Sequence, residues 1–234
     1  MNQWWYHLPI LGYHRVGPSK GDHVPTVSEE VFERQLGFLT RFRYRVLSLD
    51  EVVDCLDRGK VPRRSVMLTF DDGYEEIYRY AWPLLRGYGV PATVFVTPAE
   101  VGLPGFATWE QIAEMAKDGI AIGSHTTHHA YLPLVREDRL SEELIESKRV
   151  IEERIGLPVY SISYPVGGFT PAVQAMVRQA GYRLACTTNR AASGSLDRFA
   201  LRRIKITERD GYLLLFLAKI CGYYDLFRQL KQPS

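Results

Sequence analysis

Cysteine is scarce in this chain of 234 residues. Cys55, Cys186 and Cys221 are odd in number, widely spaced and form no C-x-x-C pair, which excludes a disulfide framework and a thiolate zinc site. Three buried thiols in a reducing compartment are expected. Net charge is as thin: 29 Lys and Arg against 27 Asp and Glu leave +2, too little to argue for nucleic acid or for steering onto an anionic membrane. Long apolar runs are missing too. The greasiest stretch, Tyr212 to Tyr224, is broken by Lys219 and Gly222 and is too short to cross a bilayer. It reads as a C-terminal helix packing on the core, with a peripheral membrane or partner contact as the alternative. The first ten residues lack a basic n-region and an uninterrupted apolar h-region, so no secretory signal is read there, and a cytoplasmic site or the cytoplasmic membrane face is expected. Repeats, low-complexity tracts and linker-like segments are absent. Histidine, finally, occurs six times, and never after His129.

What is present is ordinary globular composition, 46% hydrophobic and 24% charged, read as a single domain. Short β-branched runs alternate with helix-length amphipathic segments. Strands are expected at Ile10 to Tyr13, Tyr44 to Leu49, Val66 to Phe70, Ala92 to Thr97, Ile120 to Gly123, Tyr160 to Tyr164, Leu184 to Thr187 and Leu201 to Ile206. The intervening helices carry recognisable ends. Ser28 caps one, Ser48 with Glu51 and Thr108 with Gln111 read as capping boxes, Gly59 and Gly156 as stops, and Thr170-Pro171 as a cap followed by an N1 proline. Leu144, Ile151 and Ile155 form one stripe of a long charged helix. Such alternation predicts an α/β fold with a largely parallel sheet. Asp71 and Asp72, His125, Tyr164 and Thr187 then all follow the C-terminal ends of strands, where barrels and open α/β sheets alike place their active sites.

Two of these strand ends carry chemistry. The first delivers Thr69-Phe70-Asp71-Asp72-Gly73, the second Ser124-His125-Thr126-Thr127-His128-His129. His125 and His129 are four residues apart, so on a helical turn both rings point the same way, while His128 points elsewhere. Two neutral imidazoles and one carboxylate give three ligands and an open position, the pattern of a catalytic zinc site. A cation there brings the pKa of water from about 15.7 toward about 7. The second carboxylate, adjacent but unable to point the same way, suits a general base.

Together these motifs resemble the polysaccharide deacetylases of carbohydrate esterase family 4, with the nodulation-type chitooligosaccharide deacetylase domain. The resemblance runs from about Pro9 to Ile206, most of the chain, with a helical segment at about 210–231 beyond it. It implies a distorted (β/α) barrel of about seven mostly parallel strands. It further implies that Asp71 is the general base and that Asp72, His125 and His129 bind a divalent metal, zinc first. The family's third motif normally begins with arginine; here Ser161-Ile162-Ser163-Tyr164-Pro165-Val166-Gly167-Gly168 keeps the Tyr-Pro element without it. By the resemblance, the Tyr164 backbone N–H contributes to the oxyanion hole, and Arg202 or Arg203 substitutes in space for the missing arginine. The Asp197-Arg198-Phe199 segment falls where the family has a base-tuning aspartate.

The late histidine that usually serves as general acid has no counterpart. Pro9-Ile10-Leu11-Gly12-Tyr13-His14-Arg15-Val16 instead resembles the Tyr-His segment of the permuted branch, which includes poly-N-acetylglucosamine deacetylases. His14 is then the expected acid, a role suited to a side chain that titrates near neutral pH. His7 and His23 have no such context and are read as exposed. The implied activity is metal-dependent removal of an N-acetyl group from an amino-sugar glycan or glycolipid, with no nucleic-acid partner. Alternatives are a deformylase or amidase acting on a lipid-linked or non-polymeric substrate, and an inactive carbohydrate-binding domain. An iron(II) oxygenase also uses two histidines and a carboxylate, but it has no use for the companion base.

Overall fold

The computed structural model describes residues 8–189, 197–222 and 224. Its strands are β1 (Ile10–Tyr13), β2 (Arg15–Val16), β3 (Thr26–Val27), β4 (Arg45–Val46), β5 (Ser65–Phe70), β6 (Thr93–Val96), β7 (Ala121–Ser124), β8 (Ser161–Ser163), β9 (Leu184–Thr187) and β10 (Leu201–Lys205). Seven of them, β1, β5, β6, β7, β8, β9 and β10, pair in parallel around a closed ring, β1 sealing it by pairing with both β10 and β5. This is a distorted (β/α) barrel. The near-continuous apolar runs of β1, β5 and β6 fit it, because a parallel strand is covered on both faces. β4 lies beside the first half of β5 and β1 beside the second half, so Leu47 N–H donates to the Val66 carbonyl while Met67 N–H donates to that of Pro9.

Helices α1 (Glu29–Arg41), α2 (Leu49–Asp57), α3 (Trp82–Tyr88), α4 (Trp109–Lys117), α5 (Glu137–Ser141), α6 (Ser147–Ile155), α7 (Pro171–Gln179) and α8 (Leu213–Ile220) complete the fold. Ser28, Ser48, Thr108 and Thr170 cap α1, α2, α4 and α7 through their hydroxyls, with reciprocal bonds from Glu51 and Gln111. Capping also shortens a strand. The run Tyr44 to Leu49 reduces to β4 because Ser48 is already the cap of α2 and Leu49 its first helical residue. Similarly β8 stops at Ser163, since Pro165 opens a single 3₁₀ turn.

Three expectations change. The long charged helix is not one α-helix: a π turn, Glu142–Glu146, separates α5 from α6. At the C-terminus only Phe216 and Ile220 of α8 are buried, whereas Leu214 is 81% exposed, so this helix packs by one edge rather than being enclosed. The remainder of the expected helical segment, residue 223 and 225–231, lies outside the described residues, as does His7. Of the three thiols only Cys186 is buried; Cys55 and Cys221 are half-buried. No helix among the described residues is long and apolar enough to cross a membrane.

The barrel wall beneath the site is tight. A Cβ at Gly123 in β7 would lie 2.5 Å from Phe95 Cδ1 and 2.7 Å from Ser161 Oγ, and both of these residues are fully buried. Gly123→Ala is therefore expected to destabilise the protein by about 1–3 kcal/mol through overpacking, read as a shift in the urea midpoint. An unchanged midpoint would mean that Phe95 yields without strain.

Candidate active site and metal centre

The β1–β5 register sets the first part of the site. Tyr13 lies opposite Phe70, and Asp71 N–H donates to the Tyr13 carbonyl at 3.0 Å, so His14 and Asp71 emerge side by side from neighbouring strand ends. The chain then enters the left-handed region at Asp72 (φ 70°) and Gly73 (φ 75°). That reversal sends the two carboxylates apart. Asp71 turns into the barrel mouth, where Arg203 of β10 grips it in bidentate fashion: Nη1 donates to Oδ1 and Nη2 to Oδ2, both at 2.6 Å. Arg203 also donates to Ser163 Oγ at 2.8 Å and Thr69 Oγ1 at 3.3 Å. Of the two arginines considered from the sequence, Arg203 is the one that reaches Asp71.

Electrostatics follow from this geometry. Burial pushes the Asp71 carboxyl upward, but the Arg203 guanidinium, with smaller help from His125 and His14, overcomes it and holds the group well below the usual carboxylate range. Asp71 is thus an anion at any working pH. Asp197 takes no part in holding an arginine on Asp71. It lies on the N-terminal side of β10, accepting from Gln174 Nε2 at 3.0 Å and Phe199 N–H at 2.9 Å, with Arg178 3.8 Å away.

Asp72 turns the other way. Its Oδ1 lies 3.4 Å from both His125 Nε2 and His129 Nε2, and the three ligand atoms all fall within 4.8 Å of one another. His125 Nδ1 lies 2.6 Å from the Ser163 carbonyl. A proton on Nδ1 leaves the Nε2 lone pair aimed at Asp72. Burial holds His125 below its ordinary pKa, which favours the neutral imidazole a metal requires. The two separations from Asp72 lie near the roughly 3.3–3.4 Å that bonds of about 2.0–2.1 Å in a tetrahedron give.

The two histidines are not brought together by a helical turn. They sit on an irregular loop after β7, with Thr126 (φ 66°) and His129 (φ 54°) in the left-handed region and their rings edge-to-face at 4.9 Å. His128 points away and pairs with Glu143. Four of the six non-glycine residues described with positive φ, Asp72, Thr126, His129 and Val166, border this site. For the β-branched Thr126 and Val166 such backbone is a true outlier, of the kind that clusters at active sites.

Tyr164 requires a correction. Its backbone N–H donates to the Cys186 carbonyl at 3.0 Å within the barrel ladder, and its hydroxyl donates to the Phe199 carbonyl at 2.9 Å. The residue is a buried wall stacked on Phe169, and its N–H is already spent. Val166, two residues on, is 75% exposed with φ 57°. His14 is half-buried, and its Nδ1 is buried without a hydrogen-bond partner.

Several contributors escape the sequence reading. The Tyr74 ring carries the Arg15 guanidinium 4.0 Å from its centroid, and burial and then the Asp72 charge push the Tyr74 hydroxyl upward. Glu100, half-buried on the loop after β6, has its carboxyl raised by burial and then by the Asp72 charge. Ser163 serves both His125 and Arg203. Strand alternation could have pointed Ser163 inward, but nothing local marks Tyr74 or Glu100.

Three side chains that could hold a cation thus stand beside an arginine-held carboxylate at the C-terminal strand ends of a parallel barrel, a donor set of the hydrolase class. Comparison with known proteins narrows that class. The polysaccharide deacetylase family profile matches residues 58–185, a span holding Asp71, Asp72, His125 and His129. YxkH of Bacillus subtilis (strain 168) is 33% identical over 202 residues, covering 86% of this chain and 71% of that protein. The poly-β-1,6-N-acetyl-D-glucosamine N-deacetylase of Staphylococcus aureus (strain MSSA476) is 27% identical over 226 residues, covering 85% and 78%. The structure of the Streptococcus pyogenes deacetylase PplD in complex with acetate superposes with a TM-score of 0.83 at 27% identity, covering 91% of this chain and 97% of that one. This chain belongs to the polysaccharide deacetylase family and is a hydrolase of that class.

Proposed function

We propose that this protein hydrolyses the acetamide of N-acetylated amino-sugar glycans of the poly-N-acetylglucosamine type, using a divalent cation, zinc first, held by Asp72, His125 and His129. The observation that carries the proposal is the division of labour at Asp71-Asp72. One carboxylate is aimed with two imidazoles at a common point, and its neighbour is locked beside them as an anion. Two imidazoles beside a single carboxylate favour zinc, which takes His and carboxylate ligands, over magnesium, which is held mainly by oxygen. When bound, such an ion would acidify a water molecule and polarise the amide carbonyl.

The chain's own residues supply the rest. Asp71 accepts the proton of the attacking water; Arg203 occupies one lone pair on each oxygen and leaves others free. Its depressed pKa keeps the base form populated at all working pH, at some cost in proton-transfer driving force. His14, beside Asp71, protonates the departing nitrogen as the C–N bond breaks, giving acetate and the free amine. With the Tyr164 N–H engaged in the ladder, the oxyanion donor falls to the strained turn at Val166, where a well-placed N–H is worth about 3 kcal/mol. Exposed Leu103, Tyr131, Leu134 and Val166 on the loops after β6, β7 and β8 give the mouth an apolar rim suited to the C–H faces of sugars.

The test is acetate release from β-1,6-linked N-acetylglucosamine oligomers, run beside an N-formylated amino sugar and a non-sugar acetamide. Acetate release from the oligomers, abolished by a chelator, is expected. Cleavage of only the formylated or non-sugar amide would move the activity elsewhere in the family.

A further inference from the structure

The ligand-bearing loop has no regular structure of its own, yet two of its residues hold left-handed backbone. Something must impose that shape. The helix formed by α5, the π turn and α6 lies against the loop and grips it at consecutive residues. Ser147 Oγ, at the start of α6, is 2.7 Å from Ser124 Oγ, which accepts from Thr126 N–H at 3.1 Å. Thr127 N–H donates to the Glu143 carbonyl at 3.2 Å, and the Thr127 hydroxyl donates to the Glu142 carbonyl at 2.6 Å. The Glu143 carboxylate takes the next residue: Oε2 accepts from His128 N–H at 3.0 Å, and Oε1 lies 2.8 Å from His128 Nδ1.

Glu143 is 6% exposed, on a π turn, and π turns often mark functional sites in helices. A buried carboxylate that serves neither the core nor the reacting atoms calls for a reason. Here both its oxygens are spent on the residue immediately before a ligand. We propose that Glu143 is a positioning residue, whose carboxylate holds the Thr126–His129 loop in the conformation that aims His129 and thereby sets affinity for the divalent cation. The inference rests on the ligand assignment made under the proposed function. Side chains that orient metal ligands change affinity by about 10–100-fold when removed.

The measurement is the zinc dissociation constant of the metal-stripped protein, by competition with a chromophoric chelator. It is paired with melting temperatures of the stripped and loaded forms. Glu143→Leu is expected to weaken zinc by about 10–100-fold, with activity recovering at saturating zinc. Glu143→Gln can donate to His128 Nδ1 and accept from its N–H, so it is expected to stay within about threefold of wild type. Glu153→Gln, which alters only an exposed side chain of α6 paired with Arg149, should bind zinc as wild type does. If Glu143→Leu fails to fold, Glu143→Asp, which keeps the charge but shortens the reach, decides the matter with an expected weakening of about tenfold. Wild-type affinity in the Leu and Asp variants, or equal weakening in Gln and Leu, would overturn the proposal. A purely structural role would lower both melting temperatures and leave zinc affinity unchanged. Failure of the wild-type protein to bind zinc at all would instead overturn the ligand assignment itself.

Discussion

Asp71→Asn is expected to lower kcat for acetate release by roughly 10²–10⁴-fold while leaving zinc affinity within a few-fold of wild type. Asp71 is not one of the three residues whose donor atoms converge, so its loss should spare the candidate cradle of Asp72, His125 and His129. Asparagine keeps the shape but cannot take a proton, and it leaves the Arg203 guanidinium buried without its counter-charge. Some stability is therefore lost as well, and the variant must be assayed below its own melting temperature. Equilibrium dialysis with zinc and steady-state kinetics on the same preparation check the prediction. Near-wild-type kcat would remove Asp71 from the proton path; lost zinc binding would make it a ligand. An oxygenase reading would also have predicted no dependence on this second carboxylate.

The second large effect is at Arg203. Arg203→Met should destabilise the fold by about 3–5 kcal/mol, because it strands a buried carboxylate. For a chain of this size that is a fall in Tm of roughly 6–20 °C. Activity should fall with it, since burial alone pushes the Asp71 carboxyl upward and toward its protonated, useless form. The sign of the pH dependence follows. A carboxyl whose folded pKa is depressed contributes stability that is complete above its unfolded value of about 3.9 and fades only as pH falls toward the folded value. At neutral pH the pair's contribution is therefore fully present in wild type and absent in Arg203→Met. Pairing Arg203→Met with Asp71→Leu should recover part of the stability, since no charge is left unpaired, and none of the activity. A single Arg203→Met variant with unaltered Tm would show that the pair contributes nothing net.

Much of this was legible in the residue order because it is local. The apolar runs, the capping boxes at Ser48 and Thr108 and the glycine stop at Gly156 each lie within a few residues, and their outcome depends little on the rest of the chain. The clustering of Asp72, His125 and His129 was legible for a similar reason, as each motif closes a strand. How the ligands are presented was not. Thr126 and His129 adopt left-handed backbone that their side chains disfavour, and only the packed helix bearing Glu143 and Ser147 makes that conformation tenable. Arg203 was one of two neighbours that point to opposite faces of a strand, and only the barrel register decides which faces Asp71. Tyr164 went astray because the motif gives no sign that its N–H continues the β8–β9 ladder. His14 meets Asp71 only because β1 closes the ring against β5, a pairing across more than fifty residues.

The central claim, that acetate release depends on one cation held by Asp72, His125 and His129, is tested most directly by a single titration. Zinc is added back to chelated, dialysed protein, and acetate release from N-acetylglucosamine oligomers is measured at each step. Activity is predicted to start near zero, rise linearly and break at one zinc per chain, and not to rise at all in His125→Ala. Full activity in the chelated protein, before any metal is returned, would contradict the account.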